Sequence, residues 1–504
     1  MNKKFFITAM GIIMIIMMLV APNANAVKKD TVTVVEKSDY ATLDPSAATD
    51  RRDVFNQIYD TLVKVDENNA GAVVPALAKS WEISKDGKEV TFSIRENVKF
   101  HNGDTLTAED VAFSINNSIK SSFTQQITSS MSSAEVVDNN TVKVKLKYAY
   151  GPILGCFTCP EMSILNKKAY EADPKGFGRK PIGAGAYRFK EWVPGDKVVL
   201  EAFPDYYRGQ APIKNLIFDV VLDRSAALIA LETGEVDMII NPAQADRKNL
   251  MGNKNLAFYE CDSNAIYVIF FNNSKGIFSN KKLREAVSYA VDRDAIILGA
   301  TEGVSTRVET VIMPGYAGYP ENFKGNPYDP EKAKQLLAEA GYPNGFKVKM
   351  KTIDSDIYTL PTQIIQEQLR KIGIDVEIEI EERGKWMADI ATNSNYEITL
   401  YAIVAIIYDA DFCVYSQFHS STIGGSGNWS ECKIPELDVL LEQGRASQNA
   451  AERKQIYREV SNIIKNESIM IPLMQGKRQY ATNKDLKGVK INPAMQFYSY
   501  DWSW

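Results

Sequence analysis

The chain has 504 residues with 58 basic and 63 acidic side chains, a net charge of −5, so it holds no cationic surplus to neutralise nucleic-acid phosphate, and that partner class is excluded. Its length exceeds what one core serves and predicts two or more lobes. Only two histidines occur, His101 and His419, and no HExxH, GxSxG or P-loop pattern is present. Metal-dependent, serine-nucleophile and nucleotide chemistry therefore lack their usual groups.

The N-terminus has the order of an export signal: Lys3 and Lys4, the apolar run from Phe5 to Val20, then Ala24-Asn25-Ala26. Cleavage after Ala26 is expected, because the polar VKKDTVTVVEK follows at once; an uncleaved anchor is the alternative. No Cys stands at that junction, so a lipid anchor on a mature N-terminal Cys has no attachment point. A periplasmic, soluble monomer is expected. Beyond residue 26 the balance is 56 basic against 63 acidic residues, net −7.

Along the chain, Asp86-Gly87 marks a turn before Val90, Phe92 and Ile94, which alternate with polar neighbours as a half-buried strand does. Asn102-Gly103 marks a second turn, and Thr107 reads as the N-cap of a helix with Val111, Ile115 and Ile119 on one face. Leu216–Val221 is an apolar strand, Ser225–Glu232 a helix stopped at Gly234, and Val236–Ile240 a second buried strand. This is a βαβ pattern with an expected right-handed crossover. Leu283, Ala286, Val287, Ala290 and Val291 form one helix face, and Asp329-Pro330 starts a helix that ends at Gly341. The βαβ grammar returns with Lys347–Thr352, a helix over Thr362–Ile372, and Val376, Ile378 and Ile380. Two such units far apart predict two lobes with separate sheets.

The five cysteines raise two questions in an exported chain. Cys156-Phe-Thr-Cys159 has redox or metal spacing, but no second pair completes a tetrahedral site, so a local disulfide or two buried thiols is expected. Cys413 and Cys432 bracket HSSTIGGSGNWSE, which a bridge could close; a bridge and two free thiols both stay open. Cys261 reads as a small buried hydrophobe and His101, in VKFHNGD, as a structural hydrogen-bonding residue.

The stretch Pro75–Ser114, PALAKSWEISKDGKEVTFSIRENVKFHNGDTLTAEDVAFS, resembles the signature region of the family 5 extracellular solute-binding proteins, the peptide/nickel/opine receptors of ABC importers. PIGAGAYRFKEWVPGDKVVLEAFPDYYRG, ETGEVDMI, YPNGF and PELDVLLEQGRASQNAAERKQIYREV resemble the same family, so the likeness covers nearly all of the mature chain. It implies an α/β, two-lobed periplasmic binding protein (type II, cluster C-like) with an extra inserted subdomain in lobe I. The expected division is a signal peptide over 1–26 and lobe I over 27–265, with a β-rich insert at about 51–185. Lobe II then spans 266–482, and 483–504 returns to lobe I. The resemblance also implies an ABC permease and ATPase complex as partner, a peptide or small-molecule ligand, and neither cofactor, metal nor catalysis. It supports a cystine near Cys432, although the partner position is displaced here.

The resemblance places three cleft walls. The first is Thr42–Phe55, where Thr49, Arg51 and Arg52 are candidates to reach the ligand, against the plain alternative of a solvated charge run. The second is Tyr358-Thr359, and the third is Leu400–Phe412, with Val404, Ile406, Tyr408 and Asp409 at its end. Dipeptide receptors of the family hold the peptide amino group with an Asp three residues before an Asp-Pro-Asp turn, and the carboxylate with an Arg near the start of a lobe II helix. Here those positions are Ile406 and Thr359. A dipeptide zwitterion is poorly served unless Arg51, Arg52 or Asp409 substitutes, because buried charge needs a partner. The nickel-metallophore branch uses Arg and Trp from the insert, and SIKSSFTQQ and GCFTCPEMS offer neither. A longer peptide or amphiphilic small molecule suits Val404, Ile406 and Tyr408 better.

Overall fold

The computed structural model describes residues 29–48, 52–66, 69–424, 427–492 and 497–504, with the side chains of 52 and 69–71 excepted; the expected export signal over residues 1–26 lies outside them. β1 (Thr31–Glu36) enters the core, and a loop leads to helix α1 (Arg52–Ile58). The chain then leaves for a separate unit. β2 (Val63–Asp66) and β3 (Asn69–Pro75) form a ribbon, followed by β4 (Ala78–Ile83), β5 (Glu89–Ile94), helix α2 (Ala108–Lys120), β6 (Met131–Asp138) and β7 (Thr141–Leu146). The last four strands make an antiparallel sheet in the order β4-β5-β7-β6. Val90, Phe92 and Ile94 of β5 are buried while their neighbours are half-exposed, as the alternation predicts. Thr107 caps α2 in a reciprocal box: its amide donates to Asp110 at 2.9 Å and its hydroxyl accepts from the Asp110 amide at 3.4 Å.

The remaining strands join β1 in one sheet of eleven. They are β8 (Tyr187–Val193), β9 (Lys197–Ala202), β10 (Asn215–Val220), β11 (Met238–Ile240), β12 (Leu256–Phe271), β13 (Thr306–Arg307), β14 (Phe346–Ile353), β15 (Ile374–Glu381), β16 (Ile398–Val404) and β17 (Met470–Asn483). The order is β15-β14-β16-β12-β17-β11-β1-β10-β9-β8, with β13 paired to β17. Helix α3 (Arg224–Thr233) links β10 to β11, capped by Asp223 and closed by Gly234 at φ +80°. β10 and β11 are not neighbours, because β1 lies between and pairs with both in parallel. In the second half, α4 (Lys281–Ala290) packs beside α5 (Pro330–Glu339), whose cap Asp329 accepts from the Lys332 amide at 2.9 Å. α6 (Asp356–Arg370) connects β14 to its parallel neighbour β15. That helix begins six residues before the predicted Thr362, with Pro361 inside it. α7 (Ala410–Phe418), α8 (Pro435–Ala446) and α9 (Ala450–Asn466) precede the return along β17.

The expectation of separate sheets is corrected here: the lobes share one sheet through β12 and β17. These strands pair from Leu256↔Asn483 to Phe270↔Met470, with the register broken between Asp262 and Ile266. One core gathers around Tyr59, Phe218 and Tyr480, and another around Tyr267, Phe271, Val287 and Leu369. Tyr480 and Tyr267 project from the same face of the paired strands, so the two cores flank a gap on that face.

None of the five cysteines is in a disulfide among the described residues. Cys156 and Cys159 are buried, the buried-thiol outcome of the two foreseen. No bridge joins Cys413 to Cys432: the Cys413 thiol faces the Asp409 carbonyl at 3.9 Å, while that of Cys432 faces the Phe418 carbonyl at 3.5 Å. His101 is structural. Its Nδ1 accepts from the Gly183 amide at 3.3 Å and its Nε2 lies 3.0 Å from the Gly185 carbonyl, which fixes the neutral Nε2–H tautomer.

Candidate ligand cleft

The gap between the two cores is floored by Cys261, Ser263 and Ala265 of β12 and by Gly476 and Arg478 of β17, which share one face of the pair. Cys261, Ser263, Ala265 and Gly476 are half-exposed, while Tyr267, Met474 and Arg478 on the same face are buried, which is what a cleft at this level requires. The C-terminal ends of β1, β14 and β16 all point to it. β16 lies antiparallel to β12 with Val404 opposite Ala265, so Val404 stands on the same floor with 46% of its surface open.

At the lobe II side an aromatic cluster spans the end of β16: Tyr401 projects from the face opposite Val404, and Tyr358 links it to Tyr267 on the floor face. Tyr358, in the first turn of α6, stacks on Tyr401 with centroids 5.6 Å apart and tilts against Tyr267 at 5.8 Å. Trp386 and Trp429 back Tyr401 at 4.6 and 5.6 Å. Trp386 is fully buried and donates to Thr399 Oγ1 at 3.0 Å, which fixes the cluster from behind. Burial pushes the Tyr358 hydroxyl pKa up, so it stays neutral.

At the floor, Arg478 is 2% exposed. Its Nε donates to the Tyr480 hydroxyl at 2.8 Å and its Nη2 to Asp53 Oδ2 at 3.2 Å. Burial is the largest influence and opposes the charge, but Asp53, Tyr480 and Cys261 together outweigh it and raise the pKa.

Beyond Val404 the chain turns through Ala405–Asp409 into α7. On the other side of this turn lies a cavity of about 300 Å³ lined by Val65, Val73, Gly155, Thr158, Tyr408 and Asp409 among others. Asp409 closes it in a bidentate pair, with Arg453 Nη1 donating to Oδ2 at 2.7 Å and Nη2 to Oδ1 at 2.6 Å. The insert clasps the same region. The Tyr150 hydroxyl donates to Asp411 Oδ2 at 3.2 Å, and the Gly151 amide donates to the Arg445 carbonyl at 2.8 Å. Arg445 in turn donates to Asp411 at 3.1 Å.

The predicted residues therefore divide. Val404 ends β16, Tyr358 and Thr359 stand half-buried in the first turn of α6, and Ile406 is half-buried at the start of the turn after β16. Tyr408 and Asp409 face the cavity instead, and the Asp409 carboxylate is committed to Arg453 and to the Asp411 amide at 2.9 Å. Thr49 and Arg51 lie outside the described residues; Arg52 starts α1, but its side chain is outside them too. His419 is held by Ser421 at 2.7 Å and stacked on Tyr415 at 4.5 Å. Sequence reading missed Arg478 and Tyr401. The isolated Gly476 within an apolar strand was the available signal, since such a glycine marks a close approach.

The comparisons agree with this fold. The profile of the bacterial extracellular solute-binding proteins, family 5 Middle, matches residues 72–425. Heme-binding protein A of Haemophilus influenzae is 28% identical over 87% of this chain and 85% of its own length. Glutathione-binding protein GsiB of Escherichia coli K12 is 28% identical over 93% of each. Among solved structures, the ABC transporter-associated periplasmic binding protein DppA of Helicobacter pylori, in complex with peptide STSA, superposes with a TM-score of 0.79. It is 26% identical over 94% of this chain and 98% of that one. The match of the family profile to well over half of the sequence, on this two-lobed architecture, places the chain among the bacterial extracellular solute-binding proteins of family 5.

Proposed function

We propose that the protein is the periplasmic receptor of an ABC importer, that it captures a peptide-class solute between its lobes, and that it delivers the solute to the membrane permease and ATPase. The observation that carries this reading is the half-exposed strip of β12 and β17 between two separate cores, rimmed by Val404 and the Tyr358–Tyr401 stack. Such a floor offers apolar contact and strand-edge hydrogen bonding to an extended chain, while only the closed form joins both walls. Names among the relatives support a peptide: one binds glutathione and another was solved with STSA. The mature receptor starts at Val27, is monomeric and carries no lipid anchor; it performs no catalysis. Lobe I runs to about residue 265 and lobe II from there to about 482, with the insert at about 51–185. The register break between Asp262 and Ile266 supports a hinge at this level.

Small-angle scattering tests the clamp. With a tetrapeptide first confirmed by calorimetry, the radius of gyration should fall at saturation, because ligand shifts the population toward the closed form. A panel that includes a nickel–histidine complex separates the readings: binding of the chelate and of no peptide would replace the peptide class with a metal-chelate class.

A further inference from the structure

The guanidinium of Arg478 has one face in use and one idle. Nε is bonded to Tyr480 and Nη2 to Asp53, whereas Nη1 is buried and has no hydrogen-bond partner among the described residues. A buried donor left unpaired is costly, and native structures retain such groups where something else satisfies them. The position says what that is. Arg478 shares its face of β17 with Gly476, two residues away, and with Ser263 and Tyr267 across the pair. A Cβ at Gly476 would come within 3.2 Å of Ser263 Oγ and 3.3 Å of Tyr267 Cε2, so the bare glycine keeps the floor open beside Arg478.

We propose that Arg478 anchors a carboxylate of the bound solute, its free Nη1 donating to the carboxylate oxygen from the floor of the cleft. This rests on the peptide-receptor reading and deepens it. A planar guanidinium suits a carboxylate better than an ammonium does, since its donors lie in a fixed fork. The charged carboxylate anchor absent at Thr359 is thereby replaced from the hinge strand β17. The amino end has no such replacement, because Ile406 is apolar and Asp409 is held by Arg453.

The test uses the mature chain and one random tetrapeptide library in free-acid and C-amidated forms, with retained peptides read by mass spectrometry and the best binder titrated by calorimetry. Wild type should lose about thirtyfold or more in affinity on amidation, as truncating one side of a desolvated charge pair does. Arg478→Met should bind acid and amide alike, at the level of wild type with the amide, and Arg478→Lys should keep part of the preference. N-acetylation should change wild-type affinity little. A wild type indifferent to amidation overturns the proposal and needs no variant to do so. Equal weakening of acid and amide by Arg478→Met, with the wild-type preference persisting in the variant, also overturns it and leaves Arg478 a purely structural partner of Asp53. Retention of neither library form by wild type sinks the peptide reading and this inference together.

Discussion

Asp409 and Arg453 face each other in a buried bidentate pair at 2.6 and 2.7 Å, between the turn after β16 and helix α9. The acid that looks available to a ligand in the sequence is thus a structural clamp, which also caps α7 through the Asp411 amide. Asp409→Asn should cost about 3–5 kcal/mol in urea unfolding, because it leaves a buried guanidinium without its charge partner. The double change Asp409→Leu with Arg453→Met should recover much of that loss. A single-variant cost under about 1 kcal/mol would mean that the pair is solvated in solution.

His101 gives stability a pH dependence. Burial lowers its pKa from 6.5 to about 4, so the folded ring stays neutral where the unfolded ring takes up a proton. Its contribution is fully present above about pH 6.5 and is lost as pH falls from there toward 4. Melting temperatures of wild type should drop across that window, and those of His101→Gln should drop less. Parallel curves for the two proteins would assign the acid sensitivity to other groups.

The aromatic cluster should matter for binding more than for folding. Tyr358 is half-buried and its ring is stacked 5.6 Å from Tyr401 at the cleft rim. Tyr358→Ala should weaken the best-binding tetrapeptide on the order of tenfold, and Tyr358→Phe far less, since the ring face makes the contact. Ligand should also alter the fluorescence of Trp429, which lies 5.6 Å from Tyr401. Equal losses for the two variants would shift the weight to the hydroxyl.

Gly476 tests the floor by filling it. Its backbone is not in the left-handed region, so a side chain there is not strained by the backbone itself. The neighbours at 3.2 and 3.3 Å are the side chains of Ser263 and Tyr267, which can give way. Gly476→Leu should therefore fold with a modest fall in melting temperature and lose most peptide affinity. Unchanged affinity in calorimetry would move the ligand off the hinge strands.

Much of the fold was legible because it is local. The alternation of Val90, Phe92 and Ile94, the Thr107 cap and the Asp329-Pro330 start are each set by neighbours within a few residues, and each appears as read. The sheet was not, because pairing between β12 and β17 joins residues about two hundred apart, and β1 enters between β10 and β11 from far upstream. The same distance hid the site. Arg478 reads as one more cation in GKRQY until Asp53 and Tyr480 are brought around it, and Asp409 reads as free until Arg453 arrives from α9. Val404 at the end of β16 and Tyr358 in the first turn of α6 stand where the family resemblance directed attention, because element ends are set locally.

Native mass spectrometry of the protein purified from its own periplasm tests the central claim most directly, since a receptor that closes on its solute carries it through purification. The prediction is a folded monomer starting at Val27 with an adduct of a few hundred daltons that fragments as a peptide and is released on mild heating. A mature protein that carries no adduct and retains no tetrapeptide from either library form, or one whose adduct is a metal chelate, would contradict the peptide-receptor account.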